Sequence, residues 1–487
     1  FKIQANPINP FSVYNGAAVF YSRITEYEGT MASNLGKTEY VFEHDFDSVY
    51  NVDYLRKYWN FSTDKSWARG SLKSKKIFKF ENNQFTPVKE IINYYTSLGR
   101  KSIKVGQVCE LMTIMASGSL SDFMQENLNA KPYEERLLLT HFDYIDVSLS
   151  YGARKLFKVE EIDYANQNLT KVQETFYEGQ GHLYPTKTKL YTSVANEVNI
   201  DVIKYPQDKS SILNLSSTAS LAIDGMVSSN ILMVPIETEQ FKNTQFLRRN
   251  RTDFVNWNNS NRFYEQYLSS QVKQAPLEQR IQYTNYDAKG NVVSLRKVND
   301  INHSYIWGYI NQYPIAEATN AKWDEIYYAP FEEQVGWSGT QWQYGDAAIG
   351  YDNSKNITGR SAAKIEKLTA GEKYSHADYW LQINNAATTK YKVSGWVYST
   401  GPSVDIFLFM KTDTESFYYT QVDNLTTTAT NQWVYVEKVF DVPSTIKKLN
   451  IRLDNNGGGT VWFDDIRVHP EKAMMTTYTY DPLIGMT

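Results

Sequence analysis

Tyr286-Asp287-Ala288-Lys289-Gly290-Asn291 separates two stretches of alternating sequence, and its chemistry is that of a chain reversal. Before it, Ile281 and Tyr283 alternate with Arg280, Gln282 and Thr284; after it, Val293 and Leu295 alternate with Ser294 and Arg296. A period of two marks half-buried strands. Gly290 supplies the positive φ a tight reversal needs, the Asp287 carboxylate can accept hydrogen bonds from turn amides, and Tyr286 can lie flat over the neighbouring rung. The unit is predicted to be a hairpin, one rung of a repetitive β architecture.

From Ser304 the chain continues Ser-Tyr-Ile-Trp-Gly-Tyr-Ile-Asn-Gln-Tyr-Pro-Ile-Ala-Glu-Ala-Thr-Asn-Ala, and it closes on Met475-Thr-Thr-Tyr-Thr-Tyr-Asp-Pro-Leu-Ile-Gly-Met-Thr487. With Val19–Gly29, Arg69–Lys75 and Met233–Glu237, these stretches resemble the large secreted Rhs/YD-repeat proteins of Bacteroidetes bacteria. The resemblance implies a β-sheet that coils into a shell, a body that encloses or displays a variable C-terminal effector such as a toxin, and export to or through the outer membrane. The implied partners are the remainder of a longer chain and the type 9 secretion machinery. Full Tyr-Asp-x-x-Gly units are sparse, so this region is expected to be a decorated flank of such a shell. Both ends read as cuts within a larger protein, since the chain opens on Phe1 and stops inside what would continue as another strand.

Composition narrows the function. The chain has 487 residues with 37 Tyr, 23 Phe and 11 Trp, an aromatic content suited to pleated surfaces and sugar contacts. A net charge of −4 from 50 basic and 54 acidic residues gives no electrostatic footprint for nucleic acid. The two basic clusters, Leu247-Arg-Arg-Asn-Arg251 and Lys73-Ser-Lys-Lys76, are expected at solvated strand or turn edges. No stretch approaches the roughly 20 apolar residues of a membrane span. Cys109 is the single cysteine, which excludes a disulfide framework and reads as a small buried apolar residue.

Residues 1–320 run strand after strand, with turns at Glu28-Gly29, Asn82-Asn83, Gly179-Gln180-Gly181 and Lys289-Gly290-Asn291. Two stretches break the rhythm: 118–151, with a capped helical turn expected near Ser119, and 210–226, small and Ser/Thr/Ala-rich, expected as a surface loop. Residues 327–470 form a different series, including Tyr391-Lys-Val-Ser-Gly-Trp-Val-Tyr398, Val404-Asp-Ile-Phe-Leu-Phe-Met410 and Thr460-Val-Trp-Phe-Asp-Asp-Ile-Arg-Val468. Strands separated by turn chemistry on this scale describe a β-sandwich. Their order resembles carbohydrate-binding modules of the galactose-binding-like jelly-roll type. Residues 474–487 return to YD sequence, so the all-β chain is expected to carry the sandwich as an insertion with adjacent termini.

Catalytic signals are absent from the sequence. The histidines at 44, 141, 182, 303, 376 and 469 show no zinc spacing, and neither a Gly-x-Ser-x-Gly elbow nor a phosphate loop occurs. Glu160-Glu161 could be taken for a glycosidase couple, but a solvated strand edge is the better reading. The expectation is a non-enzymatic protein.

Two binding functions remain for the sandwich. Phe331-Glu332-Glu333 and Trp462-Phe463-Asp464-Asp465-Ile466 resemble the paired ends that hold a structural calcium ion in this module class; Glu332 and Asp465 are the first candidates, Glu333 and Asp464 the next. A glycan, the second ligand, needs aromatic platforms flanked by polar groups. Trp337, Trp342, Tyr344, Trp380, Tyr418 and Tyr419 lie in loop-like or strand-edge sequence and are candidates, whereas Trp396, Trp433 and Trp462 sit in apolar runs and are assigned to the core. Asp47-Ser48-Val49 resembles a Bacteroidetes O-glycosylation pattern, consistent with export. The leading expectation is a non-enzymatic structural segment of a secreted Rhs/YD-type shell, and the alternative is a cell-surface adhesin or glycan-binding protein acting through the sandwich.

Overall fold

The computed structural model describes residues 21–30, 33–44, 48–50, 61–63, 66–111, 142–166, 169–192, 194–332, 342–344, 350–367, 373–377, 380–383, 385–413, 421–481 and 484–486. The chain divides into two compact units, one of residues 1–215 with 227–249, the other of 216–226 with 250–487.

The first unit is an antiparallel meander. Strands Arg23–Thr30, Ser33–Phe42, Leu72–Glu81, Gln84–Leu111, Phe142–Asp163, Leu169–Phe176, Lys187–Tyr191, Val198–Lys204 and Glu237–Lys242 each pair with the next. Asn82 and Asn83, at φ of +52° and +61°, make the expected two-residue reversal, the left-handed pair that matches strand twist. Glu28-Gly29 is instead a bulge: Gly29 opposes Asn34 and Thr30 opposes Ser33, so the reversal comes later. Cys109 falls on the strand Gln84–Leu111.

In the second unit the hairpin around Gly290 forms as expected. Strands Glu278–Tyr286 and Val292–Lys297 pair antiparallel, with Ile281 opposite Lys297 and Tyr283 opposite Leu295. Gly290 has φ of +94°. Asp287 Oδ1 accepts from the amides of Lys289 and Asn291, each at 2.8 Å, and its Oδ2 accepts from Asn291 Nδ2 at 2.9 Å. Tyr286 stacks on Tyr264 of the preceding strand at 4.8 Å and 25°. Gly290→Val forces a β-branched residue into the left-handed region and brings a Cβ within 2.7 Å of the Tyr264 hydroxyl. It should destabilise this unit by about 2 kcal/mol, read as a lowered thermal midpoint; an unchanged midpoint would contradict the turn.

Residues 210–226, expected as a surface loop, contain most of a helix, Ser217–Ser228. Ser216 Oγ accepts from the Ala219 amide at 3.1 Å, an N-cap, and Ala219, Ala222, Ile223 and Met226 are buried at helical spacing. The small residues that suggest a loop instead allow close packing: a Cβ on Gly225 would stand 2.4 Å from the Phe263 ring. The capped turn expected near Ser119 lies outside the described residues.

Strands Asn302–Gly308 and Tyr313–Thr319 extend the hairpin sheet, and Met474–Thr477 then pairs with Tyr313–Thr319, Met474 opposite Thr319. The described strands between Tyr327 and Pro470 form a sandwich, while Ala321, Ile326, Tyr328 and Ala473 pack against Ile306 and Ile315 of the hairpin sheet. One sheet has the order Gly350–Asp352, Ala362–Lys367, Gly459–Pro470, Thr389–Ser399, Trp433–Val442, with Tyr327–Ala329 also on Gly459–Pro470. The other runs Trp342–Tyr344, Lys373–Ala377, Lys448–Asn455, Val404–Lys411, Gln421–Thr427, with Leu381–Gln382 also on Lys448–Asn455. Alternate residues of both sheets, among them Val393, Val397, Ile406, Leu408, Phe440, Leu453 and Phe463, fill the layer between them.

Candidate glycan-binding face

Strict alternation along the central strands of the second sheet determines which side chains turn to its outer face, where Phe407 and Arg452 are half-buried and Phe409, Asn450 and Asp454 are buried. Ile406, Leu408 and Met410 enter the core, so Phe407, Phe409 and Lys411 lie on the other side; Leu449, Ile451 and Leu453 do the same for Asn450, Arg452 and Asp454. The register sets Phe407 opposite Arg452 and Phe409 opposite Asn450. The guanidinium carbon of Arg452 stands 4.4 Å from the Tyr374 ring centre, 4.7 Å from Phe407 and 5.3 Å from Phe409. Asp454, 0 % exposed, accepts from Arg452 Nε at 2.7 Å and Nη2 at 2.5 Å. Arg452 is therefore a planar cation clamped by a buried carboxylate and surrounded by three rings.

Several residues singled out in the sequence reach this same sheet. Trp380 precedes Leu381–Gln382, and Lys411 Nζ lies 5.4 Å from its ring centre. Trp342 and Tyr344 are on the edge strand, opposite Ala377 and Ser375. Trp337, Tyr418 and Tyr419 lie outside the described residues, as do Glu333 and Asp47. At the opposite edge, Asp405 accepts from Asn424 Nδ2 at 2.9 Å and also from Thr426 and Asn456, a polar margin beside the rings. Sequence reasoning missed Tyr374, Phe407, Phe409 and Arg452. The signal was present in Val404–Met410, where Phe407 and Phe409 share the parity opposite to Ile406, Leu408 and Met410.

The assignment of Trp396 and Trp433 to the core is corrected. Core positions on their strands belong to Val393, Val397, Val436, Phe440, Val461 and Phe463. All three tryptophans have the other parity and turn away from the layer between the sheets, Trp396 and Trp433 half-buried, whereas Trp462 is buried at 7 % exposure as expected. Trp462 Nε1 donates to Asp352 Oδ2 at 2.9 Å. Hydrogen bonds from Ser354 and Trp462 hold the Asp352 carboxyl down at about 2.

The acidic ends come together along residues 357–361. Glu332 Oε1 accepts from the amides of Arg360 at 2.8 Å and Ser361 at 3.2 Å. Asp464, fully buried, accepts from the amides of Ile357 at 2.8 Å, Thr358 at 3.3 Å and Asp465 at 2.9 Å. Burial, with the charge of neighbouring Asp465, raises the Asp464 carboxyl to about 7, and burial raises Glu332 as well. Asp465 accepts from the Tyr328 hydroxyl at 2.5 Å and faces Arg467 Nη2 at 3.4 Å. Among the described residues no three His, Cys, Asp or Glu groups stand close enough to hold a metal ion.

Elsewhere, Glu160 pairs with Lys158 at 2.7 Å and accepts from Tyr94 at 2.9 Å, while Glu161 pairs with Lys89. As strand neighbours they point to opposite faces, and they lie within a strand paired on both sides, not at the sheet edge the sequence suggested. The basic clusters lie within strands Leu72–Glu81 and Gln245–Asn256; contrary to the solvated-edge expectation, Arg251 is 4 % exposed. Among the described residues no helix is long and apolar enough to cross a membrane.

A two-sheet antiparallel sandwich presenting an aromatic, polar-margined face has the form of a carbohydrate-binding module. Residues 325–456 match the family model described as "Carbohydrate binding domain". Among solved structures, the sandwich is similar to a family 16 carbohydrate binding module (16 % identity, 26 % of this chain and 89 % of that one, TM-score 0.22). It is also similar to the CBM22-1 xylan-binding domain of Paenibacillus barcinonensis Xyn10C (14 % identity, 30 % and 95 %, TM-score 0.25). A third similarity is to the C-terminal family 22 carbohydrate binding module of Clostridium thermocellum Xyn10B (16 % identity, 30 % and 94 %, TM-score 0.24). A comparison with curated proteins finds no match.

Proposed function

We propose that this protein binds a glycan through the sandwich face built around Arg452, as a surface adhesin or glycan-binding protein. The observation that carries this reading is the juxtaposition of Arg452 with Tyr374, Phe407 and Phe409 on the outer face of one sheet, Phe409 buried and the other three half-buried, within the segment that matches the carbohydrate binding family. Aromatic faces stack on the C–H faces of pyranose rings, while Asn424, Thr426 and Lys411 are placed to meet hydroxyls. The test is a panel of soluble polysaccharides titrated against the full chain and its Trp380→Ala and Phe407→Ala variants. Each substitution should weaken the preferred ligand by about tenfold or more at unchanged fold; parent-like binding by both would sink the assignment of this face.

The finer reading of the remaining strands is a Rhs/YD-type wall, part of a longer exported chain that displays the sandwich or contains an effector. It is supported by a repeated stacking unit: Tyr480 lies on Tyr313 at 4.9 Å and 27°, close to the Tyr286–Tyr264 geometry, and Tyr480 and Tyr286 each precede an aspartate. In the sandwich, the calcium ion expected from sequence at Glu332 and Asp465, with Glu333 and Asp464 next, would have to draw its further ligands from backbone carbonyls, since no three acidic groups converge among the described residues. No catalytic step is assigned to the protein.

A further inference from the structure

We propose that the solvent side of the first sheet is a second carbohydrate-binding surface, facing away from the Arg452 face and taking an extended chain of neutral pyranose units. Its rings form two rungs across paired strands. In one, Tyr398 stands opposite both Trp433 and Trp462, with ring centres 5.8 and 5.5 Å apart; in the other, Trp396 stands opposite Tyr435 at 5.4 Å. None of these five lies in the layer between the two sheets; Trp462 is buried beneath its neighbours at 7 % exposure, Trp396, Tyr398 and Trp433 are half-buried, and Tyr435 is 42 % exposed. Rings that adjoin one another in a row, unlike apolar side chains scattered singly over a surface, mark a binding face.

The surroundings select a sugar over an apolar partner. Lys355 Nζ lies 4.1 Å above the Tyr398 ring centre, and Lys364 and Asp352 flank Trp462. At the other end Glu437, held 3.5 Å from Lys392, follows Tyr435 on the same side of its strand. Ring area interleaved with acceptors and donors matches a ligand that is apolar on its C–H faces and hydroxylated at its rim. Neighbouring strands are about 4.8 Å apart, so a row running across them repeats on the scale of one sugar unit.

The proposal extends the glycan reading but does not depend on the Arg452 face, and the test separates the two. Birchwood xylan, barley β-glucan and galactomannan are run in affinity electrophoresis against the full chain, Trp380→Ala, a Trp433→Ala/Tyr435→Ala double variant and the combination. The expected result is a polysaccharide that Trp380→Ala still binds and the double variant binds about tenfold more weakly or worse. Should the double variant melt early, Tyr435→Ala alone, on an exposed side chain, takes its place. Complete loss of binding in Trp380→Ala overturns the second surface and leaves the first. Retention of every polysaccharide by the double variant also overturns it, as does a parent dimer in sedimentation that Tyr435→Ala dissociates. A parent chain that binds none of the polysaccharides overturns both readings.

Discussion

Arg452→Ala should melt roughly 10 °C or more below the parent sandwich and lose the glycan affinity of its face altogether. The stability effect comes from Asp454. That carboxylate has no exposure, and Arg452 gives it two charge-assisted hydrogen bonds. Truncation removes both and leaves a charge inside protein, a situation that costs about 3–5 kcal/mol. The loss of binding has a different origin: the guanidinium fixes Tyr374, Phe407 and Phe409 around one point, and without it the rings lose a shared cation–π partner. The two effects can be separated. Arg452→Met combined with Asp454→Leu replaces the pair with apolar volume and should recover much of the stability, because buried ion pairs are seldom better than good apolar packing. It should not recover binding. Arg452→Lys keeps the charge but not the planar fork, so an intermediate midpoint is expected. An Arg452→Ala midpoint within a degree of the parent would mean that Asp454 is stabilised by other means.

The hairpin at Tyr286–Asn291 is legible in the sequence because every part of it is local: Gly290 for φ, Asp287 for the turn amides, and alternation on both sides. The sandwich is legible as a series of strands for the same reason. Its working faces are less so, and the cause is parity. Trp396, Trp433 and Trp462 each lie in a short apolar run of their strand, which points to the core, yet a strand has two sides. The residues that fill the core on these strands, Val397, Val436 and Phe463 among them, have the parity opposite to the tryptophans. Counting from either set sorts both. The clustering around Arg452 is a harder matter. Phe407 and Arg452 become neighbours only through a register set by strands about 45 residues apart in sequence, and no local pattern specifies that pairing. The helix Ser217–Ser228 is hidden by a composition of Ser, Thr and Ala that suits a loop, although Ala219, Ala222, Ile223 and Met226 already have helical spacing.

Asp464 should make the sandwich less stable as pH rises through neutrality in the presence of chelator. Its folded-state carboxyl titrates at about 7 against 3.8 for the free group, chiefly because it is buried and secondly because Asp465 lies beside it. Between these two values the folded state keeps a proton that the unfolded chain has released, so the derivative of stability with pH is negative. The stabilisation is complete below pH 3.8 and is lost as pH rises through about 7. A difference of that size between folded and unfolded chain corresponds to about 4 kcal/mol, a fall in thermal midpoint easily followed from pH 5 to pH 8. Asp464→Asn removes the titration and should give a flat profile over that range. It should also melt lower than the parent at pH 5, because the amide N–H groups would face the donors that Asp464 now accepts from at Ile357, Thr358 and Asp465. A parent profile as flat as that of the variant would show that Asp464 holds no proton in the folded state. Calcium reverses the sign of the problem, since it binds the ionised form and needs that same negative charge. Millimolar calcium should therefore raise the parent midpoint at pH 8 more than at pH 5, and should do little for Glu332→Ala or Asp464→Asn. If calcium leaves the parent unchanged at pH 8, the acidic cluster is not a calcium site, and the buried carboxyl remains a plain source of acid-side stability.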